Sequence, residues 1–262
     1  MARILSTLSL SLLMACASPP PTFDEVRPAD VLYQRGIEIL EGRVFLGFLR
    51  RVDHAAAIEI FQSIIDNYPY SDFAVLAELK IADAYFENGK YEEALSYYRD
   101  FSELHPRQEQ VPYTVFRSAI CHQRRIGSPH RDQTATRDAL VYLDRLLTRY
   151  PHSEYAERAE TMWRDLRMRL ALQIQGIGDF YMARGEYEAA AERYRSLLNE
   201  YPGLGLDPEI LYKLGLCYRE MNREDEAAAI FQSIVRYYDH SAVAEDAEDQ
   251  MDRAEDWSPQ EP

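Results

Sequence analysis

The side chains in this chain of 262 residues best suited to nucleophilic, redox or metal chemistry are three thiols and six imidazoles: Cys16, Cys121 and Cys217, with His54, His105, His122, His130, His152 and His240. The cysteine separations match no zinc-ligand spacing, and three cysteines are too few for a disulfide-built scaffold. Cys121 and His122 adjoin in "SAICHQR", but consecutive helical residues point about 100° apart and cannot act as a pair on one ligand. Cys121 and Cys217 both fall in helical apolar patterns, where a free thiol packs as a small hydrophobe. Carboxylates are plentiful, yet in "KYEEA" and "NREDEAA" they fall on polar helix faces, which serves solubility rather than acid–base work. The chain contains no nucleophile elbow, P-loop, HExxH or dinucleotide fingerprint. The expectation is a protein that is not an enzyme and uses no metal. With 29 Lys and Arg against 44 Asp and Glu, the net charge of -15 repels nucleic acid and anionic headgroups alike. A membrane-bound form would need some other means of attachment.

Cys16 supplies one. Arg3 and the run "ILSTLSLSLLMA" form a weakly basic start and an apolar stretch too short to span a bilayer, the pattern of a secretion signal. Leu13-Met14-Ala15-Cys16 resembles the lipobox of bacterial lipoproteins, with methionine where a small or β-branched residue is usual. That resemblance implies cleavage before Cys16, a diacylglycerol thioether on its sulfur and an acyl chain on its new amino group. Each buried CH₂ contributes ~0.8 kcal/mol, so several chains together anchor firmly. Ala17 follows in place of the aspartate that such lipoproteins use for inner-membrane retention, which favours the outer membrane. Residues 1–15 are then a signal peptide, and residues 16–28 a lipidated cysteine on a proline-rich, extended tether.

The elements behind the tether repeat. "FQSIIDNYPYSDFA", "LDRLLTRYPHSEYA", "YRSLLNEYPGLGLD" and "FQSIVRYYDHSAVA" share one type of helix end, with "YRDFSELHPRQEQ" a looser copy. Twelve residues before Pro69, Pro106, Pro151, Pro202 and Asp239 stand Ala57, Ala94, Ala139, Ala190 and Ala227. Four residues on from each alanine come Phe61, Tyr98, Leu143, Tyr194 and Phe231, and three further on Ile64, Phe101, Leu146, Leu197 and Ile234. These offsets trace one helix face. Alanine allows a close crossing of two helices, the large residues fill the groove beside it, and proline stops the second helix. In the preceding helices Ala82, Gly178 and Gly215 occupy the small position, with Gly89, Gly185 and Asn222 at turns that need a left-handed backbone. The repeat ends step by 37, 45, 51 and 37 residues. A longer loop at "GSPHRDQT" (127–134) and an extended helix over 153–184, about 48 Å long, account for the two larger steps.

This pattern resembles the tetratricopeptide repeat, and the expected fold is all-α, a helical solenoid of five helix hairpins over residues 29–244. An acidic tail (245–262) then serves as a solvated cap and fades into disorder. The first hairpin turn, "EGRVFLGFLRRVDH", is unusually long and apolar. Residues 44–49 there either close the open end of the solenoid, the preferred reading, or add a partner surface.

The stretches "RDQTATRDALVYLDRLLTRYPHSEYAERA" and "IGDFYMARGEYEAAAERYRSLLNEYP", with the lipobox and the repeat number, are similar to the BamD family of tetratricopeptide lipoproteins. The resemblance implies a scaffold subunit of the β-barrel assembly machinery, held at the periplasmic face of the outer membrane. Its expected partners are the periplasmic domains of the barrel subunit, other assembly lipoproteins and unfolded outer-membrane substrates. Carried over by position, Arg193 in "AAERYRSLL" becomes an interface residue toward the barrel subunit. Tyr68, Tyr70, Phe73, Tyr85 and Phe86 are the candidate groove for an aromatic-ended substrate signal, although Tyr68 and Tyr85 also fit core positions. The alternative is a lipid-anchored adaptor in envelope organisation or cell division. That class usually carries a trimerising coiled coil or low-complexity segment, and none is visible here. An enzyme using the repeats as a recruiting arm would need a second domain, for which no length remains.

Overall fold

The computed structural model describes residues 28–45, 49–128 and 131–255, by their backbone alone at 43–45, 49–50 and 253–255. Cys16, the signal and most of the tether therefore lie outside the described residues. Eleven helices follow in chain order among those described: α1 (Ala29–Glu41), α2 (His54–Asn67), α3 (Asp72–Glu87), α4 (Tyr91–Leu104), α5 (Val111–Gln123), α6 (Thr134–Arg149), α7 (Ala156–Ala183), α8 (Tyr187–Glu200), α9 (Asp207–Glu220), α10 (Glu224–Tyr237) and α11 (Ala244–Glu255). Each packs mainly on its neighbours in sequence, giving the expected ladder of helix hairpins.

The alanines and the two large residues that follow each of them in α2, α4, α6, α8 and α10 are all buried. The close crossings are real: a methyl group at Gly36, Gly178 or Gly215 would sit 2.5–2.6 Å from the ring of Phe61, Tyr194 or Phe231. The left-handed turn residues are Gly89 (φ 75°), Gly185 (φ 73°) and Asn222 (φ 59°). Asp53 caps α2 by accepting from the Ala56 N–H at 3.1 Å, and Ser71 caps α3 through the Phe73 N–H, also at 3.1 Å.

One element departs from all-α. The long first turn forms a two-stranded antiparallel ladder, β1 (Arg43–Phe45) with β2 (Leu49–Arg51), pairing Arg43 with Arg51 and Phe45 with Leu49. Valine, phenylalanine and leucine suit strands better than a helix turn. A cleft of about 450 Å³ lies beside it, lined by Arg35, Glu38, Arg51 and Asp53 among others, so the charges on its walls cancel. At the other end the acidic stretch folds further than a tail would. Within α11, Ala247 is buried against the last hairpin while Glu245, Asp246, Glu248 and Asp249 face water.

The extended helix is present as α7, whose 28 residues reach about 42 Å. Its halves serve different cores. Ala159, Met162 and Leu166 join the cluster built from α3–α6, whereas Ala171 belongs to the cluster of α8–α11. A third, smaller core holds Ala57, Phe61 and Ile64 of α2 with Ala77 and Ile81 of α3.

Candidate protein-interaction site

The five candidate groove aromatics do not converge on one pocket. Tyr68, Phe73 and Tyr85 pack, half-buried, against the first core. The Phe73 ring lies 5.5 Å from Tyr33, and Tyr85 lies 5.5 Å from Tyr97 with the Lys90 ammonium over its face. Phe86 is buried in the next core, covered by the Arg117 guanidinium at 3.6 Å. Tyr70 stands apart, fully exposed in the turn between α2 and α3. Arg193 projects into solvent from α8, directly before Tyr194, which is fully buried.

Between the repeats runs a feature that the sequence reading missed. Asp83 on α3 accepts hydrogen bonds from the hydroxyls of Tyr98 (2.7 Å) and Tyr113 (2.6 Å). Arg117 on α5 donates to the Tyr98 oxygen at 3.1 Å and pairs with Glu87 at 3.2 Å. The same set recurs lower in the solenoid. Asp179 on α7 accepts from the Tyr194 hydroxyl at 2.6 Å and pairs with Lys213 of α9 at 3.0 Å, and Lys213 also reaches Glu209 at 2.9 Å. Each carboxylate precedes its tyrosine by 15 residues and its cation by 34. That shared offset was the readable signal. Burial, then the adjacent carboxylate, raises the Tyr98, Tyr113 and Tyr194 hydroxyls above the usual phenol range. A phenol held so firmly protonated is a donor and no base, so the sets work as clips across the joint between successive repeats.

The joint between the third and fourth repeats has no such clip. Leu143 takes the tyrosine's place and Met162, nineteen residues on, the cation's; Ile120, the residue after Ala119, stands where Asp83 follows Ala82. Leu143 and Met162 are buried. Across this joint Arg169 of α7 donates to the Gln133 side chain at 3.1 Å and to the Gly127 carbonyl, tying down the long loop before α6.

Nothing here resembles a reaction centre. Burial pushes the thiols of Cys121 and Cys217 up to about 12 and about 11, which makes them poor nucleophiles. His122 is buried, stacks on Tyr142 and lies 3.6 Å from Asp138. Among the described residues no three His, Cys, Asp or Glu side chains gather to hold a metal. No described helix is long and apolar enough to cross a membrane.

The repeat array matches known proteins. The model of the YfiO outer membrane lipoprotein family matches residues 46–229, well over half of the chain. The chain belongs to that family. Its relatives include the outer membrane protein assembly factor BamD of Caulobacter vibrioides, 27% identical over 226 residues that span 86% of this chain and 71% of the relative. The BamD proteins of Vibrio cholerae (28% identical, 74% of this chain and 81% of the relative) and Rickettsia prowazekii (26%, with 86% of each) match similarly. Among solved structures the chain is similar to the yeast Sti1 TPR2AB domain in its complex with an HSP90 peptide, with a TM-score of 0.43, 15% identity and coverage of 79% and 76%. Family membership places the chain among outer-membrane lipoproteins and assembly factors rather than catalysts.

Proposed function

We propose that this chain is a lipid-anchored scaffold of outer-membrane β-barrel assembly, acylated at Cys16 and facing the periplasm. The observation that carries the reading is the family match running through the repeats, together with assembly-factor relatives aligned over most of the chain. Arg193, exposed on α8, docks the periplasmic domains of the barrel subunit. The N-terminal repeats receive the aromatic-ended signal of unfolded barrels. There Tyr70 is the candidate contact with its ring free, while Tyr68, Phe73, Tyr85 and Phe86 shape the surface from beneath. Other assembly lipoproteins complete the complex.

The test is co-purification from detergent-solubilised envelopes using the lipidated chain as bait, beside Cys16→Ala and Arg193→Glu. The expected result is recovery of a large barrel protein with periplasmic repeat domains, weakened by Arg193→Glu, and release of the Cys16→Ala form from the membrane. Recovery of cell-wall or division proteins alone would instead make the chain an envelope adaptor.

A further inference from the structure

The second half of α7 exposes a face whose equivalent on α3, α5 and α9 is partly buried. Aligned on the small residue that crosses the following helix (Gly36, Ala82, Ala119, Gly178 and Gly215), four positions can be compared: six, two and one residues before it, and two after. On α3 these are Leu76, Lys80, Ile81 and Ala84; on α5 Tyr113, Arg117, Ser118 and Cys121; on α9 Glu209, Lys213, Leu214 and Cys217. The last two of each set are buried, and Ile81, Cys121, Leu214 and Cys217 among them join cores shared with the second helix of the preceding repeat. On α7 the four are Leu172, Gly176, Ile177 and Phe180, and the apolar three are 50%, 39% and 57% exposed. The cause is length. The first half of α7 docks on the third repeat, and the second half overhangs it, so no preceding helix covers that face.

Helix α1 shows how this fold treats such a face when water is its partner. No repeat precedes α1, and it places Asp30, Gln34, Arg35 and Glu38 at the same four positions, all of them exposed. The overhang of α7 is apolar instead. At its centre Gly176 costs the helix about 1 kcal/mol relative to alanine. Unlike Gly178, two residues on, it accommodates no ring of its own chain: a methyl group there would meet nothing within 4 Å. The result is a notch bounded by Leu172 and Phe180. Between Arg169 and Arg184 the only carboxylate is Asp179, already bound by Tyr194 and Lys213, although the whole chain carries a charge of -15.

We infer that the overhanging face of α7 is a docking site for an amphipathic helix of another protein, seated where the second helix of a preceding repeat would lie. The partner's apolar face carries a bulky side chain for the Gly176 notch, and its flank is acidic toward Arg169, whose partners Gln133 and the Gly127 carbonyl are neutral, whereas Arg184 at the other end already pairs with Glu186 at 2.9 Å.

Site-specific photo-crosslinking in intact envelopes tests this, with a benzophenone amino acid replacing Leu172 or Phe180 in the full lipidated chain and exposed Glu192 of α8 as control. The expected adduct forms from the first two positions, not from Glu192, and maps to one helical segment with an apolar face. Gly176→Lys, which restores the cation found on α3, α5 and α9, should lower adduct yield at least about tenfold while leaving the unfolding midpoint equal or higher, since lysine favours helix over glycine. If Gly176→Lys lowers that midpoint, Leu172→Glu replaces it as the blocking variant. Absence of an adduct, an adduct to lipid, to a second copy or to a non-helical segment, or a yield that the blocking variant leaves unchanged would overturn the inference. Arg193→Glu, which tests the barrel-subunit contact, leaves the adduct in place if the two surfaces are separate.

Discussion

The joints of this solenoid are made in two ways. Between the second and third repeats, and again between the fourth and fifth, a carboxylate, a tyrosine and a cation lock together across the groove: Asp83 with Tyr98 and Arg117, Asp179 with Tyr194 and Lys213. Between the third and fourth, Ile120, Leu143 and Met162 stand in their places. Between the first and second, Ile37 and Phe61 replace the carboxylate and the tyrosine while the cation, Lys80, turns to Asp83 of its own helix at 3.4 Å, so a member of the set that stays is given another partner. The joint between the third and fourth, whose core is apolar and whose polar ties are the outer ones of Arg169 to Gln133 and Trp163 to Asp144, also lies where α7 lengthens and the hydrophobic core divides, and it is the one with a face left over for another molecule.

Mutations can break or sharpen this contrast. Leu143→Ala, at the apolar joint, should cost about 2–5 kcal/mol because the buried leucine fills the place that a hydrogen-bonded tyrosine holds elsewhere and its removal opens a cavity. Urea unfolding monitored by circular dichroism measures it, and a loss below about 1 kcal/mol would mean the joint does not depend on packing. At the clipped joint Asp83→Leu should cost about 2–3 kcal/mol, since it strands two phenols and Arg117, whereas Tyr98→Phe should cost only about 1 kcal/mol. Equal costs for the two changes would show that the carboxylate does not organise the clip. The two nearby glycines of α7 should respond with opposite signs. Gly176→Ala should add up to about 1 kcal/mol by helix propensity. Gly178→Ala should lower stability because its methyl group would press on the Tyr194 ring at 2.6 Å, and thermal melts of the pair would contradict the crossing geometry if both rose.

The smallest effect is a pH dependence at His122. Burial lowers its pKa below the ordinary 6.5, partly opposed by Asp138 and assisted by Arg125. The folded state therefore prefers neutral imidazole. Above about pH 6.5 both folded and unfolded chains carry it neutral and its contribution is whole; below that the unfolded chain binds the proton first and stability falls. Urea midpoints compared at about pH 7.5 and about pH 5.5 should show a shallower acid loss for His122→Gln than for the unchanged chain. An identical loss would place the acid sensitivity elsewhere.

Much of the architecture was legible before any coordinates. The alanine–aromatic–aliphatic face of each second helix, the glycine and asparagine turns and the proline stops all act within a few residues, so local sequence carries them. The candidate groove was legible only in part. Phe86 and Tyr70 carry similar rings sixteen residues apart in the chain, yet one lies under Arg117 and the other in open solvent. Aromatic type cannot distinguish those fates, because burial depends on which helix arrives from the next repeat. The ladder of β1 and β2 was hidden for a related reason. Its strands are three residues each, too short for a period-2 pattern to stand out.

By itself the sequence determined the number of repeats, the residues of their cores and the family, since each follows from helical periodicity or from offsets that recur along the chain. It also fixed Cys16 as the expected anchor, a reading that depends on a short linear motif. Only the tertiary structure decided which equivalent positions are covered. Leu172, Ile177 and Phe180 look like core residues in any helical projection, and they are exposed because α7 outruns the repeat before it. Asp83 and Asp179 look like solubility charges, and they are clips because tyrosines and cations from the next helices arrive within hydrogen-bonding distance. A residue's periodicity states which face of its helix it occupies, whereas the presence of a neighbour on that face depends on the lengths and stacking of whole elements.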